Sequence, residues 1–72
     1  MRINNKKINS VKTMLTTYFL GSDIASQKRL EDNVEPDIIA VAKEEYLIVG
    51  NYWEDGSVYY RITPKGKQER DK

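Results

Sequence analysis

The dipeptide Asp55-Gly56 restricts the fold of this 72-residue chain more than any other feature, because β-prone runs lie on both sides of it. Residues 47–53 and 58–63 are rich in β-branched and aromatic side chains. Asp-Gly between two such runs is a strong hairpin signal, since a type I′ turn needs positive φ at both central positions. The sequence therefore predicts two antiparallel strands closed by a turn at positions 55 and 56.

A two-residue turn at these positions also predicts which residues face each other. The side expected to cover the core holds the pairs Val49–Ile62, Asn51–Tyr60 and Trp53–Val58. The other side is expected to carry an outward aromatic and basic strip: Ile48, Gly50, Tyr52, Tyr59, Arg61 and Thr63. Pro64 has no N–H to donate, so the second strand is predicted to end before it.

A first helix is predicted over residues 7–20, where apolar side chains recur at the spacing of an amphipathic helix. Its buried stripe comprises Ile8, Val11, Leu15 and Tyr18, with Met14 and Phe19 beside them. Gly21 is expected to stop the helix, because glycine adopts positive φ without a Cβ penalty.

Two shorter helices are predicted between the first helix and the hairpin. One covers residues 24–32 and is expected to be capped by Ser22 or Asp23. The other begins near Glu35, with Pro36 in its first turn. The buried face expected for this third helix comprises Ile38, Ile39, Val41 and Ala42. The prediction is an α+β fold in a single domain over residues 1–72, with flexible ends near 1–6 and 68–72.

The composition excludes most catalytic chemistry. The chain has no Cys and no His, which removes thiol nucleophiles, disulfides and the commonest general base and metal ligand. Its acidic residues lack the Asp-x-Asp-x-Asp-Gly spacing of a calcium loop. We therefore expect no enzymatic activity, no cofactor and no metal site.

The sequence predicts a cytoplasmic protein without a membrane segment. Polar residues interrupt the stretch after the basic start where a signal peptide needs its apolar region. The longest charge-free run, residues 13–22, is far shorter than the about 20 residues that span a bilayer.

Charge is segregated along the chain, although the net charge is only +1. Residues 1–30 carry +5, residues 31–55 carry −7 and residues 56–72 carry +3. This near-neutral balance argues against a mainly electrostatic grip on nucleic acid.

The order of three helices and a hairpin, together with local motifs, resembles a winged-helix domain. Tyr46-Leu47-Ile48, the Asp-Gly loop and Tyr60-Arg61-Ile62-Thr63-Pro64-Lys65-Gly66 are similar to the wing of bacterial regulators of the MarR and PadR type. The very short winged-helix proteins of Gram-positive bacteria and their phages are more similar still. The resemblance implies three helices followed by a two-stranded wing, and a transcription regulator that binds double-stranded DNA, of phage or mobile-element origin.

Two features depart from the family pattern. Tyr46 stands where the family has glycine before the Leu-Ile pair. The outward positions of the third helix, which the resemblance implies is the DNA-binding helix, are expected to be Asp37, Ala40, Lys43 and Glu44. Reading base edges and binding phosphates needs donors and cations that this set lacks, apart from Lys43.

A DNA-contact surface is therefore predicted on other parts of the domain. Its residues are Lys28, Arg29, Asn33, Lys43, Arg61, Lys65 and Lys67. The alternative is that these are ordinary solvated charges.

An interface, including a homodimer contact, is predicted at Ile48, Tyr52 and Tyr59 on the outward strip, whereas Trp53 and Tyr60 are expected to pack in the core. Simple cross-strand pairing is the alternative for Tyr52 and Tyr59. The rival function is a protein-interaction module that binds its partner through the acidic third helix and the aromatic hairpin face.

Overall fold

A computed structural model describes the backbone of residues 5–72 and the side chains from residue 9 onward. Its elements are α1 (Asn5–Tyr18), β1 (Ile24–Ser26), α2 (Gln27–Asn33), α3 (Pro36–Glu44), β2 (Ile48–Tyr52), β3 (Val58–Ile62) and α4 (Pro64–Arg70). The three strands form one antiparallel sheet in the order β1-β3-β2. The predicted α+β class is confirmed, but the described chain has four helices and three strands rather than three and two.

The stripe predicted for the first helix does form the centre of the core. Val11, Met14, Leu15 and Phe19 of this segment are buried and Tyr18 is half-buried. The side chain of Ile8 lies outside the described residues, as do residues 1–4 of the end predicted to be flexible. Within residues 5–72, no helix combines the length and the apolar character that crossing a membrane requires.

The end of α1 is not formed as predicted. Gly56 is the one glycine of the described residues with positive φ, so the left-handed stop expected at Gly21 is wrong. The helix ends at Tyr18. The carbonyl of Phe19, just beyond it, accepts a hydrogen bond of 2.8 Å from Nη1 of Arg70. A side chain near the C-terminus thus satisfies a polar group at the end of α1.

The segment predicted as a second helix over 24–32 is divided into a strand and a helix. Ile24–Ser26 pairs with β3, and α2 begins only after it. The N-cap is Ser26, whose hydroxyl accepts a hydrogen bond of 3.2 Å from the N–H of Arg29, and not Ser22 or Asp23. The strand β1 forms because it pairs with β3, which lies more than thirty residues away. No local pattern in the sequence therefore predicts it.

The third helix begins and packs as predicted. Glu35 is its N-cap and Pro36 its first residue, while Ile38, Ile39 and Ala42 are buried.

The bend after α3 is a Schellman motif built on tyrosine. Leu47 N–H donates to the Ala42 carbonyl at 2.8 Å, and Tyr46 N–H donates to the Lys43 carbonyl at 3.0 Å. Tyr46 occupies the position that glycine usually takes and has φ 58°.

The predicted hairpin is present, but its register differs by one position. Tyr52 faces Val58, and Asn51 faces Tyr59. The turn has three residues, because Trp53 N–H donates to the Ser57 carbonyl at 2.8 Å and Gly56 N–H donates to the Trp53 carbonyl at 3.0 Å. Gly56 has φ 90° whereas Asp55 has no positive φ. This is a type I turn followed by a G1 bulge, not the type I′ turn predicted.

This shift exchanges the two sides of β2, because the side-chain period of a strand is two, whereas the residues of β3 keep their predicted sides. Ile48 is only 1% exposed and lies in the core, so its predicted place on the outward strip is wrong. Trp53, predicted to be in the core, is 48% exposed. Tyr60 is buried as predicted. Tyr52 falls on the same side as Ile48 but lies beyond the core.

The junction of β3 and α4 gives a structural role to Thr63 and Gly66. The hydroxyl of Thr63 accepts from Gly66 N–H at 3.0 Å, which caps α4, and donates to the Tyr46 carbonyl at 2.6 Å. A Cβ built on Gly66 would lie 2.1 Å from the Leu47 carbonyl oxygen. The Thr-x-x-Gly spacing therefore joins the start of α4 to the bend before β2.

The helix α4 was not predicted, and the end expected to be flexible near 68–72 is helical as far as Arg70. The segment has no apolar side chain to produce a helical periodicity. Thr63 followed by Pro64 is nevertheless a helix-start signal that could have identified this helix in the sequence.

Candidate interaction surfaces

The outward surface of α3 is acidic. Asp37, Ala40, Lys43 and Glu44 are all exposed, as predicted. The Nζ atom of Lys43 lies 5.7 Å from the centre of the Tyr60 ring, within the range of a cation–π contact. The one cation of this surface therefore lies close to the hairpin, while the carboxylates extend from the helix.

The N-terminal end of α3 carries acids where a phosphate would bind. Glu35 is the N-cap residue and Asp37 lies in the first turn. Carboxylates stabilise this end because the helix dipole is positive there. The same position attracts phosphate in proteins that bind anions. Two negative side chains at this end oppose such binding.

The residues predicted on α2 remain on the surface and already have partners. Lys28 forms an ion pair with Asp32 at 3.2 Å. The guanidinium of Arg29 lies 5.0 Å from the centre of the Tyr18 ring. The Nδ2 atom of Asn33 donates to the Arg29 carbonyl at 2.7 Å, so this amide closes the end of the helix.

The remaining predicted cations are spread over β3 and α4. Arg61 is exposed on the outward side of the sheet, opposite Ile24 of β1 and Val49 of β2. Lys67 pairs with Asp23 at 3.2 Å.

Lys65 lines a cavity of about 240 Å³ between α1, α3 and α4, together with Glu45 and Glu69. The seven predicted DNA-contact residues thus lie on four elements, and acids accompany several of them.

The hairpin presents an exposed aromatic pair near its turn. The rings of Trp53 and Tyr59 are stacked, with centroids 4.3 Å apart and planes at 30°. Tyr59 is half-buried on the outward side, as predicted, while Tyr52 is 75% exposed. Aromatic rings that are rigid and exposed are typical anchors of protein interfaces.

Hydrogen bonds within the turn favour the charged form of the Asp55 carboxyl. Hydrogen bonds from the hydroxyl and the N–H of Ser57, at 2.6 and 2.9 Å, reach Oδ1 of Asp55. They lower the pKa of the Asp55 carboxyl below its ordinary value of 3.8, because they favour its charged form. Together with Glu54, this residue makes the tip of the hairpin negative.

A wider groove of about 680 Å³ lies between α1 and the turn that joins α2 to α3. Hydroxyl and amide side chains line the α1 side, and Glu35 and Asp37 line the other. Residues 9–72 contain no group of three acidic side chains placed to hold a metal ion.

Comparisons with protein-family models, with curated proteins and with solved structures found no significant match.

Proposed function

We propose that the chain is a small winged-helix module that binds a protein partner and catalyses no reaction. The order of the elements supports the architecture, with β1 between α1 and α2 and the β2–β3 hairpin after α3. The wing-like sequence of residues 46–67 supports it as well. The composition supports the absence of catalysis, because a chain without His and Cys lacks the commonest general base and the thiol nucleophile.

The acidic outward surface of α3 is the observation that favours a protein partner over DNA. In a winged-helix protein that reads DNA, this helix would enter the major groove between two rows of phosphates. Asp37 and Glu44 are exposed on it, and Glu35 and Asp37 stand at its N-terminal end. Phosphates would meet carboxylates there, with Lys43 as the one opposing charge on the helix. A basic protein surface complements the same charges.

A duplex-binding assay tests this choice of partner. We expect the wild-type chain to leave the fluorescence anisotropy of a labelled mixed-sequence duplex unchanged at low salt. The double variant Asp37→Lys and Glu44→Lys should raise it, because the reversal gives α3 the cations it lacks. A matched variant, Glu31→Lys with Asp32→Lys on α2, changes the net charge equally and should gain less. Wild-type binding with a steep salt dependence would contradict the proposal.

Double-stranded DNA is the second candidate, because exposed cations lie on neighbouring elements away from α3. Arg61 faces Ile24 of β1, and β1 leads directly into α2, where Lys28 and Arg29 are exposed. If this surface grips phosphates, Arg61→Glu abolishes duplex binding and Glu44→Lys improves it or leaves it unchanged. The function would then be transcriptional regulation, and a dimer spanning two half-sites would supply the affinity.

A further inference from the structure

The strand β2 leaves one edge of the sheet open. The bonds from Thr63 N–H to the Leu47 carbonyl and from Trp53 N–H to the Ser57 carbonyl mark the two ends of the β2–β3 ladder. Pairing in an antiparallel ladder alternates, so the N–H and C=O groups of Ile48, Gly50 and Tyr52 point away from β3. Among residues 5–72, no strand pairs with that edge. Gly50 and Tyr52 are exposed, so their outward donors and acceptors are available to another chain, whereas Ile48 is buried.

This edge lacks the features that usually prevent strand addition. Its sequence, Ile-Val-Gly-Asn-Tyr, contains no charge and no proline. Exposed edges are normally protected by lysine, proline or a bulge, because an open edge pairs readily with other strands. The G1 bulge of the hairpin lies in the turn, beyond the end of β2. The exposed outward positions, Gly50 and Tyr52, are therefore open to a neighbouring strand.

Acidic residues lie beyond both ends of the edge. Glu44 and Glu45 precede β2, and Glu54 and Asp55 follow it. All four are exposed; Lys43 directly precedes Glu44, and Lys65 lines the same cavity as Glu45. An added strand with a cation at each end would meet opposite charges, whereas an acidic strand would be repelled.

Exposed aromatic side chains lie at the same two ends. Among the described residues, Leu20, Tyr46, Tyr52 and Trp53 are the large hydrophobic side chains that are exposed, and the last three flank β2. Tyr46 is 63% exposed and keeps an aromatic ring at a left-handed position, where a tyrosine is strained. A peptide along β2 would have rings to pack against at both ends.

We propose that β2 binds an extended segment of a partner protein by strand addition, and that this segment is a short uncharged β-prone stretch flanked by Lys or Arg. The inference rests on the proposed protein-binding function and names the chemistry of its partner. Backbone hydrogen bonds to Gly50 and Tyr52 supply the pairing. The flanking carboxylates and aromatic rings select the sequence.

A second copy of the chain fits this edge less well. Two β2 strands paired antiparallel about Gly50 would place Glu45 of one copy opposite Asp55 of the other. The same pairing would place Tyr46 opposite Glu54. Like charges opposite each other oppose the association at both ends.

Selection from a random peptide library displayed on phage tests the proposal. We expect the wild-type chain to enrich peptides with an uncharged β-prone centre and basic ends. Binding of an enriched peptide should shift the NMR signals of the Gly50 and Tyr52 amides and slow their hydrogen exchange.

Substitutions at Gly50 separate strand addition from side-chain contact. Gly50→Pro removes an N–H that points away from β3, and proline is tolerated on an edge strand in that orientation. It should weaken peptide binding at least about tenfold, since it blocks pairing at the centre of the strand. Gly50→Ala keeps the N–H, and its Cβ would lie at an ordinary 3.7 Å from the Tyr60 ring, so its affinity should match wild type. If Gly50→Pro does not fold, Tyr52→Pro compared with Tyr52→Ala gives a second test, because both variants lack the ring and only the proline lacks the N–H.

Each result distinguishes the inference from the proposed function. Peptide binding that shifts the α3 amides but not those of β2 would overturn the edge site and leave a protein-binding function standing. Enrichment of acidic peptides, or concentration-dependent dimers that protect the β2 amides, would overturn the stated partner. Failure to enrich any peptide, combined with duplex binding, would overturn both.

Discussion

The polar groups of two regions of the molecule differ in their partners. At the Thr63–Gly66 junction they are hydrogen-bonded within the domain, whereas at the edge of β2 they are exposed. At the junction, the hydroxyl of Thr63, the N–H of Gly66 and the carbonyl of Leu47 all have partners. Gly66 is packed so closely that no Cβ fits. Along the edge, Gly50 and Tyr52 are exposed, and the three exposed aromatic side chains Tyr46, Tyr52 and Trp53 lie in β2 or next to it.

This difference indicates that stability and binding reside in separate parts of the hairpin. The junction connects α3, β2, β3 and α4 through groups that water does not reach, so changes there should unfold the domain. The edge contributes few buried contacts, so changes there should affect a partner more than the fold. Substitutions in the two regions should therefore have distinct effects on unfolding and on peptide binding.

Gly66→Ala should have the largest effect on stability. Its Cβ would lie 2.1 Å from the Leu47 carbonyl oxygen and 2.7 Å from Cγ1 of Ile62, so α4 must move. We expect a loss of about 3 kcal/mol or more in the free energy of unfolding, measured by urea denaturation. Gly21→Ala is the matched control, because no atom lies within 4 Å of the added Cβ. A similar, small effect of both substitutions would show that the junction is not tightly packed.

Thr63→Val should have the next largest effect. Valine keeps the shape but removes the hydroxyl that caps α4 and binds the Tyr46 carbonyl. We expect a loss of about 2 kcal/mol, measured by the same denaturation experiment. Thr63→Ser retains the hydroxyl and should keep most of the stability. If serine and valine are equally destabilising, packing of the methyl group and not hydrogen bonding accounts for the role of Thr63.

Tyr46→Gly should raise stability and weaken binding. Glycine relieves the left-handed strain of the α3–β2 bend, so we expect a gain of about 1 kcal/mol in the free energy of unfolding. The affinity for an enriched peptide should fall, because the exposed ring is lost. Tyr46→Ala removes the ring without relieving the strain and should lower affinity alone. Unchanged peptide affinity in both variants would remove Tyr46 from the binding site.

The hydrogen bonds to the Asp55 carboxyl should have the smallest effect on stability, and this effect should be measurable only at acid pH. Its folded-state pKa is lowered by the hydrogen bonds from Ser57, so its contribution to stability is present above its ordinary pKa of 3.8. That contribution is lost as the pH falls from there through the lower folded-state value. An NMR titration of the Asp55 carboxyl should show the lowered pKa, and Ser57→Ala should raise it toward 3.8. An unchanged pKa in Ser57→Ala would contradict the role given to the hydroxyl, which donates the strongest bond.

Local patterns in the sequence were sufficient to predict the α+β class, the helices α1 and α3 and the presence of the hairpin. The apolar stripe around Leu15 and the helix start at Glu35-Pro36 are local signals, and the predictions of α1 and α3 that rest on them are confirmed. The strand β1 was missed because Ala25 is held by pairing with a distant strand. The register was wrong because Asp-Gly occurs both in two-residue turns and in three-residue turns with a bulge, and a one-residue difference exchanged Ile48 and Trp53 between faces.

The candidate site was predictable to a smaller extent. The exposure of Asp37 and Glu44 followed from helical spacing, so the acidic surface of α3 was visible in the sequence. The open edge of β2 was not, because strand order depends on where β1 joins the sheet.

An NMR titration of the isotopically labelled chain with a mixed-sequence duplex at low salt tests the choice between a protein and DNA most directly. We expect that no amide signal moves, and that an enriched basic-ended peptide added to the same sample shifts the amide signals of Gly50 and Tyr52. Duplex-induced shifts along α2 and around Arg61, fading as salt is added, would contradict it.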